Sequence, residues 1–306
     1  MDQPRRRRTP LLPLLVIGAV LWAVAASGIV WSNTLGLGDR LAIYAERVRL
    51  ALDPPPDRDI LPTVEVTREP PKGEAEGPQG NIGGPGEEPD RTPRPPRKPV
   101  DVKLRANPNR TFVSQQTNDW CAPAGVQIVL AMHGRMDNSA DSQRKLANQI
   151  GRWEAWKDSH NGGWGPSAIA QALADHGVKG YEIRSYGSRR LALRDSAIAL
   201  SKTRAPVILI AWRGAHTWVM SGFRANADPT IFRNAKITGT YIFDPWYPRV
   251  STIWGASDAP GVFQDQAEMQ RNYLRWDRPE GAYQERDGKF LAVVPTIPLE
   301  EQERGS

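Results

Sequence analysis

The chain has one cysteine and four histidines in 306 residues. A single thiol excludes an internal disulfide, and without HExxH or CxxC spacing no metal site is expected. The sequence also lacks a GxxxxGK[ST] phosphate loop, a glycine-rich dinucleotide signature and internal repeats, so no cofactor is expected. A one-sided charge is missing as well. The formal net charge is +6, but the opening MDQPRRRR holds four Arg and one Asp; without it 36 basic residues face 33 acidic ones, a net +3. Binding to nucleic acid needs a basic face that releases counterions from phosphates, and this balance gives no case for such a partner.

What is present begins at the N-terminus. After the basic residues 1–10, Leu11 to Trp31 form a 21-residue apolar run with Ser27 as its only polar side chain. A helix of that length spans about 30 Å, the thickness of a bilayer core. The preceding arginines place residues 1–10 in the cytoplasm and the remainder outside the cell membrane. A cleaved signal peptide, and so a secreted product, is the alternative. An uncleaved anchor is favoured because the run exceeds a secretory h-region and ends in Trp31. Residues 32–52 follow as a juxtamembrane helix, with Leu41, Tyr44, Val48 and Ala51 at helical spacing. Residues 53–104 read as a linker: between Asp53 and Val100 there are 13 Pro and 6 Gly in 48 residues, with ten acidic and seven basic side chains. Such a composition buries too little surface to offset its ordering entropy.

Residues 105–298 carry the folded domain, and 299–306 form a tail. Helices are predicted over 121–133, capped by Asn118 and Asp119 and ended by Gly134, over 165–177, and over 189–203. Strands are predicted over 206–212, 216–225, 239–246 and 289–296, the first two joined as a hairpin. Helices first and strands afterwards indicate an α+β domain with an antiparallel sheet.

Cys121 stands where a loop becomes a helix, and free N–H groups at a helix start favour a thiolate. A nucleophilic thiol also needs an imidazole to share its proton and a third group to orient that ring. His133 is twelve residues on, roughly 18 Å along the axis of a regular helix, and cannot serve. His160 lies in a polar glycine-rich loop, and His176 at a helix end. His216 opens an apolar strand directly after a turn, so its ring can project at the sheet rim. Asp244 follows the next strand and precedes Pro245; strands adjacent in sequence tend to be neighbours, which lets its carboxylate meet the imidazole. Gln115, six residues before Cys121, or Gln116, five before, can offer an amide to an oxyanion beside the Cys121 N–H. Trp120, Trp164, Trp218 and Trp246 either line a cleft or fill the core.

Glutamine, five residues, a cysteine opening a helix, a strand-opening histidine and Asp-Pro at a strand end resemble the papain-like cysteine peptidases. Within them the pattern is most similar to the branch related to the double-glycine leader peptidases of bacteriocin exporters. The resemblance covers about Phe112 to Trp246 and implies a papain-like fold and a peptide or protein substrate. It implies Cys121 as nucleophile, His216 as general base and acid, Asp244 as orienter and Gln115 as oxyanion donor. Many relatives have Gly after the cysteine, where this chain has Ala122 and Pro123. Without a phosphate loop or exporter domain, leader-peptide processing does not carry over. Hydrolysis and acyl transfer use the same apparatus. A silent peptide-binding module of the same shape, and a wall-anchored structural protein, are the competing readings.

Overall fold

The computed structural model describes residues 41, 45, 48, 52, 60–67, 95–155, 158, 164–277 and 284–299. The chain divides into two compact units, Met1–Pro54 and Pro55–Ser306. In the first, Leu41, Ala45, Val48 and Leu52 are helical, and Leu41, Val48 and Leu52 are exposed. Tyr44 and Ala51, from the predicted stripe, lie outside the described residues, as do the apolar run Leu11–Trp31 and all of the tail except Leu299. Among the described residues no helix is long and apolar enough to cross a membrane.

The second unit runs β1 (Thr63–Val66), β2 (Val100–Lys103), α1 (Pro108–Thr111), α2 (Cys121–Met132), α3 (Ala140–Ala147), α4 (Pro166–Asp175) and β3 (Tyr181–Tyr186). It continues through α5 (Arg189–Thr203), β4 (Val207–Ala211), β5 (His216–Ala225), β6 (Ile237–Phe243), β7 (Val250–Ser251), β8 (Gly255–Ala256), β9 (Val262–Asp265), α6 (Gln266–Asn272) and β10 (Phe290–Pro295). The main sheet has the order β1-β3-β10-β4-β5-β6-β9, with β2 also pairing β5, while β7 and β8 form a separate hairpin. Alternation along β4 shows how the layers are made. Ile208 and Ile210 face one core with α2 and α4, and Val207 and Leu209 face another with α5. A strand covered on both faces reads as an unbroken apolar run, and VILIA is buried throughout.

Two expectations are corrected. The sheet is not wholly antiparallel: β1 pairs β3 in parallel, and β3 falls between α4 and α5. Nor is 53–104 only a linker, because it contributes both β1 and β2 to the sheet. Each strand is four residues long and draws its partners from far along the chain: Thr63 Oγ1 accepts from Arg286 Nε at 3.1 Å, and Lys289 Nζ meets Glu65 Oε2 at 2.9 Å. Composition averaged over the proline-rich stretch does not register such distant partners.

Candidate active site

Helix α2 starts at Cys121, with Trp120 as N-cap and no side chain capping it. The predicted caps are engaged elsewhere: Asp119 accepts from the Thr117 hydroxyl, and Asn118 Oδ1 accepts from Arg249 Nη1 at 3.0 Å. The N–H groups of the first turn therefore carry no side-chain cap, which leaves the positive end of the helix beside the thiol. Ala122 and Pro123 are buried in that turn, where Pro is well tolerated because its missing N–H would have had no helical partner. One turn on, Gly125 lets α2 lie close against β5, since a Cβ there would meet Thr217 Cγ2 at 2.6 Å. The half-buried thiol donates to Ala215 O at 3.8 Å, next to His216 in sequence.

His216 opens β5, and its strand is paired on either side, with β4 at Ala211 and with β6 at Val219 opposite Phe243. Continuing the β6 register by one residue sets Asp244 opposite Trp218, a diagonal neighbour of His216. The ring Nε2 lies 2.7 Å from Asp244 Oδ1, and both residues are 2 % exposed. With Nε2 engaged by Asp244, Nδ1 is the ring nitrogen left to share a proton with the Cys121 thiol, which lines the same cleft. Burial alone would depress the imidazole. The charge and hydrogen bond of Asp244, with those of Cys121, outweigh it and raise the His216 pKa from 6.5 to about 9. Asp244 Oδ1 also accepts from the Trp246 N–H at 2.8 Å, which fixes the carboxylate.

The ring plane is set by aromatics. Trp212 stacks on His216 with centroids 3.8 Å apart and planes 18° off parallel; Trp254 stacks on Trp212, and Trp246 stands edge-on to His216. Trp212 and Arg213 adopt left-handed backbone, φ 50° and 61°, a strain of roughly 1–3 kcal/mol each. Trp212 Nε1 donates to Asn272 Oδ1 at 3.0 Å, tying this turn to α6. Sequence reasoning passed over Trp212 and Trp254; the signal for Trp212 is its place in the short β4–β5 turn directly before His216.

A narrow cleft borders these groups, lined by Cys121 and His216 together with Asn118, Trp164, Gly165 and Trp276. Of the four tryptophans considered from the sequence, Trp164 lines it and Trp218 is core. Trp120 is the half-buried cap of α2, and Trp246 is half-buried beside His216. Gly165 is packed onto Asp158, where a Cβ would fall 2.2 Å from the backbone oxygen. Asp158 Oδ2 accepts from Ser167 N at 2.8 Å at the start of α4, and Oδ1 pairs with Arg286 Nη1 at 2.6 Å, both side chains being fully buried. This knot fixes the Trp164–Gly165 side of the cleft.

Gln115 is buried, and its Nε2 donates to Thr117 O at 2.7 Å; an amide carries two N–H bonds, so one remains. Gln115 is not itself among the residues that line the cleft. Gln116 is exposed, with its Nε2 on Ser114 O at 3.2 Å, while its backbone N–H donates to Gln143 Oε1 at 2.8 Å. His133 and His176 are apart from this site. His133 caps the far end of α2, where burial and then Arg135 lower its pKa to about 4. The roomier hollow that it lines has no cysteine, serine or threonine among its lining residues. His176 Nδ1 lies 2.9 Å from Ala172 O at the end of α4, and His160 is outside the described residues. Among the described residues no group of His, Cys, Asp and Glu could hold a metal ion.

No curated protein matches the chain. A solved structure, titled as a double glycine motif protease from the AMS/PCAT transporter in complex with the leader peptide, aligns over 64 % of this chain and 99 % of its own. Its identity is 17 % and its TM-score 0.32, a likeness too loose to carry an argument. The Peptidase_C39 like family matches residues 109–277, more than half of the chain and a span holding Cys121, His216 and Asp244. On that match, the chain belongs to the Peptidase_C39 like family of papain-like cysteine peptidases.

Proposed function

We propose that this protein hydrolyses peptide bonds through a Cys121–His216–Asp244 triad, with Gln115 and the Cys121 N–H receiving the oxyanion. The observation that carries the reading is the buried His216 ring, held by Asp244 through Nε2 and lining one cleft with the thiol at the uncapped start of α2. Cys121 passes its proton to Nδ1, forming a thiolate–imidazolium pair. The sulfur bonds to the substrate carbonyl carbon, and the C=O electron pair moves onto oxygen. Collapse restores the C=O and breaks the C–N bond, while Nδ1–H protonates the departing amine. The neutral imidazole then takes a proton from water as its oxygen attacks the thioester, and thiolate is expelled. Asp244 keeps the ring in place and favours its charged form throughout.

The substrate class is a peptide or protein. Leu11–Trp31 is proposed to hold the domain at the outer side of a cell membrane, a reading supported by its apolar length and the arginines before it. A purely structural protein has no use for a cleft beside a half-buried thiol, and the pairing of His216 with Asp244 favours catalysis over silent binding. Mass spectrometry of a peptide library incubated with the protein should reveal cleavage that falls by on the order of 10³-fold or more in Cys121→Ala. Equal product from wild type and variant would sink the proposal. A thioester that yields only aminolysis products with added amines would redirect it to acyl transfer.

A further inference from the structure

Arg249 lies beyond the residues assigned above, in the connection between Asp244 and β7. Its Nη2 donates to Gln115 O at 3.0 Å and to Gln116 O at 3.1 Å, and its Nη1 donates to Asn118 Oδ1 at 3.0 Å. One guanidinium thus grips three points of the loop leading into Cys121. Its carbon also lies 5.3 Å from the Trp246 ring centroid. That ring stands edge-on to His216, and the Trp246 N–H holds Asp244 Oδ1. A second tie joins the same two segments where Gln115 N donates to Pro245 O at 2.9 Å. On its other side the loop is held by Gln143, whose amide accepts from Gln116 N and donates to Ser114 O.

We propose that Arg249 is a positioning residue that fixes the Gln115–Asn118 loop against the Asp244–Trp246 segment and so sets the oxyanion donors relative to the nucleophile. The inference rests on the peptidase reading. Arginine suits the task because its planar fork can serve several oxygens at once and stack on an aromatic face, whereas a lysine ammonium is a compact point charge. Among the described residues no carboxylate pairs with the guanidinium: its acceptors are two backbone carbonyls and a side-chain amide oxygen. Loss of Arg249 therefore releases loop geometry without removing an ion pair, and it leaves the His216–Asp244 bond untouched.

The test separates oxyanion geometry from thiol reactivity. Alkylation of Cys121 by iodoacetamide needs the thiolate but no oxyanion site. A peptide aldehyde forms a hemithioacetal whose oxygen occupies that site. In Arg249→Ala the aldehyde should bind at least tenfold more weakly, and kcat should fall about tenfold with KM within twofold. The rate of alkylation against pH should be unchanged. Arg249→Lys, which keeps the charge but not the fork, should recover less than half of the lost aldehyde affinity, and added guanidinium ion should partly rescue Arg249→Ala. If Arg249→Ala fails to fold, the Arg249→Lys comparison decides alone. Unchanged aldehyde affinity in either folded variant, or a parallel fall in aldehyde affinity and alkylation, would overturn the proposal. A wild type that binds aldehyde but turns over no peptide counts against hydrolysis and leaves the aldehyde comparison of Arg249 intact.

Discussion

The two walls of the cleft are built on different principles. On the sheet wall, His216 and Asp244 are both 2 % exposed, lie on paired strands, and owe their mutual placement to ladder hydrogen bonds and stacked tryptophans. On the helical wall the thiol is half-buried at the end of an irregular loop, which is held by side chains reaching to backbone: Gln143 from within, Arg249 from the sheet side. The charge-holding half is desolvated and over-determined. The nucleophile-bearing half is accessible and depends on individual polar contacts. The carboxylate and imidazole gain from a dry environment that strengthens their attraction, whereas the sulfur must be reached by a substrate.

That contrast can be attacked from the sheet side first. Asp244→Asn keeps the shape but removes the charge that raises His216, and it should lower kcat/KM by about 10³-fold or more, measured on the same cleaved peptide. The pH behaviour carries a sign. The His216 pKa in the fold, about 9, lies above its ordinary 6.5, so the stabilisation from its charged form is complete below about 6.5 and is lost as pH rises through about 9. In wild type this contribution, about 3 kcal/mol, should fade across that window in thermal melts, and kcat/KM should decline above about 9 as the imidazolium loses its proton. Asp244→Asn should flatten both profiles. An unchanged profile in the variant means that the carboxylate does not govern the ring.

On the helical wall the largest loss should come from Asp158→Ala, which strands the buried Arg286 and uncaps the start of α4. Breaking such a pair costs about 3–5 kcal/mol, read as a lower urea midpoint. A smaller step is Gln143→Ala, leaving Gln116 N without its partner and Ser114 O with the Gln116 amide alone, for about 1–3 kcal/mol. If the walls differ as described, Gln143→Ala should depress kcat while the pH limb near 9 stays where it was. A shift of that limb would show the two walls to be one electrostatic unit.

The sheet wall was also the more legible one in the sequence. β5 spans the predicted His216–Ala225, α5 spans the predicted Arg189–Thr203, and α2 begins at Cys121 as expected. The strands declare themselves through the unbroken apolar run of β4 and the short turn before β5, and the helices through their spacing and end signals. The helical wall was harder. Asn118 and Asp119 are good capping residues by type, yet Arg249, far along the chain, takes the Asn118 oxygen and Thr117, two residues back, takes that of Asp119. The Asp158–Arg286 pair joins positions 128 residues apart, and each is an ordinary surface residue type when read singly. The tryptophan stack on His216 depends on a left-handed backbone at Trp212, where a non-glycine residue gives no local warning. β3 carries a clear alternation in YEIRSY but directly follows a helix and turn, and its place in the sheet is evident only from its pairing with β10 and β1.

The docking of β1 changes what the proline- and glycine-rich stretch can do. With Thr63–Val66 hydrogen-bonded along β3 and Val100–Lys103 along β5, the two strands that flank this loop in sequence are fastened to the same sheet. A protease that nicks that loop would not by itself free the catalytic portion from the residues before Thr63. Release would wait on peeling a four-residue strand from its neighbour, against the hold of Arg286 on Thr63 and of Lys289 on Glu65. Shedding would then be a matter of strand dissociation rate rather than of cutting alone.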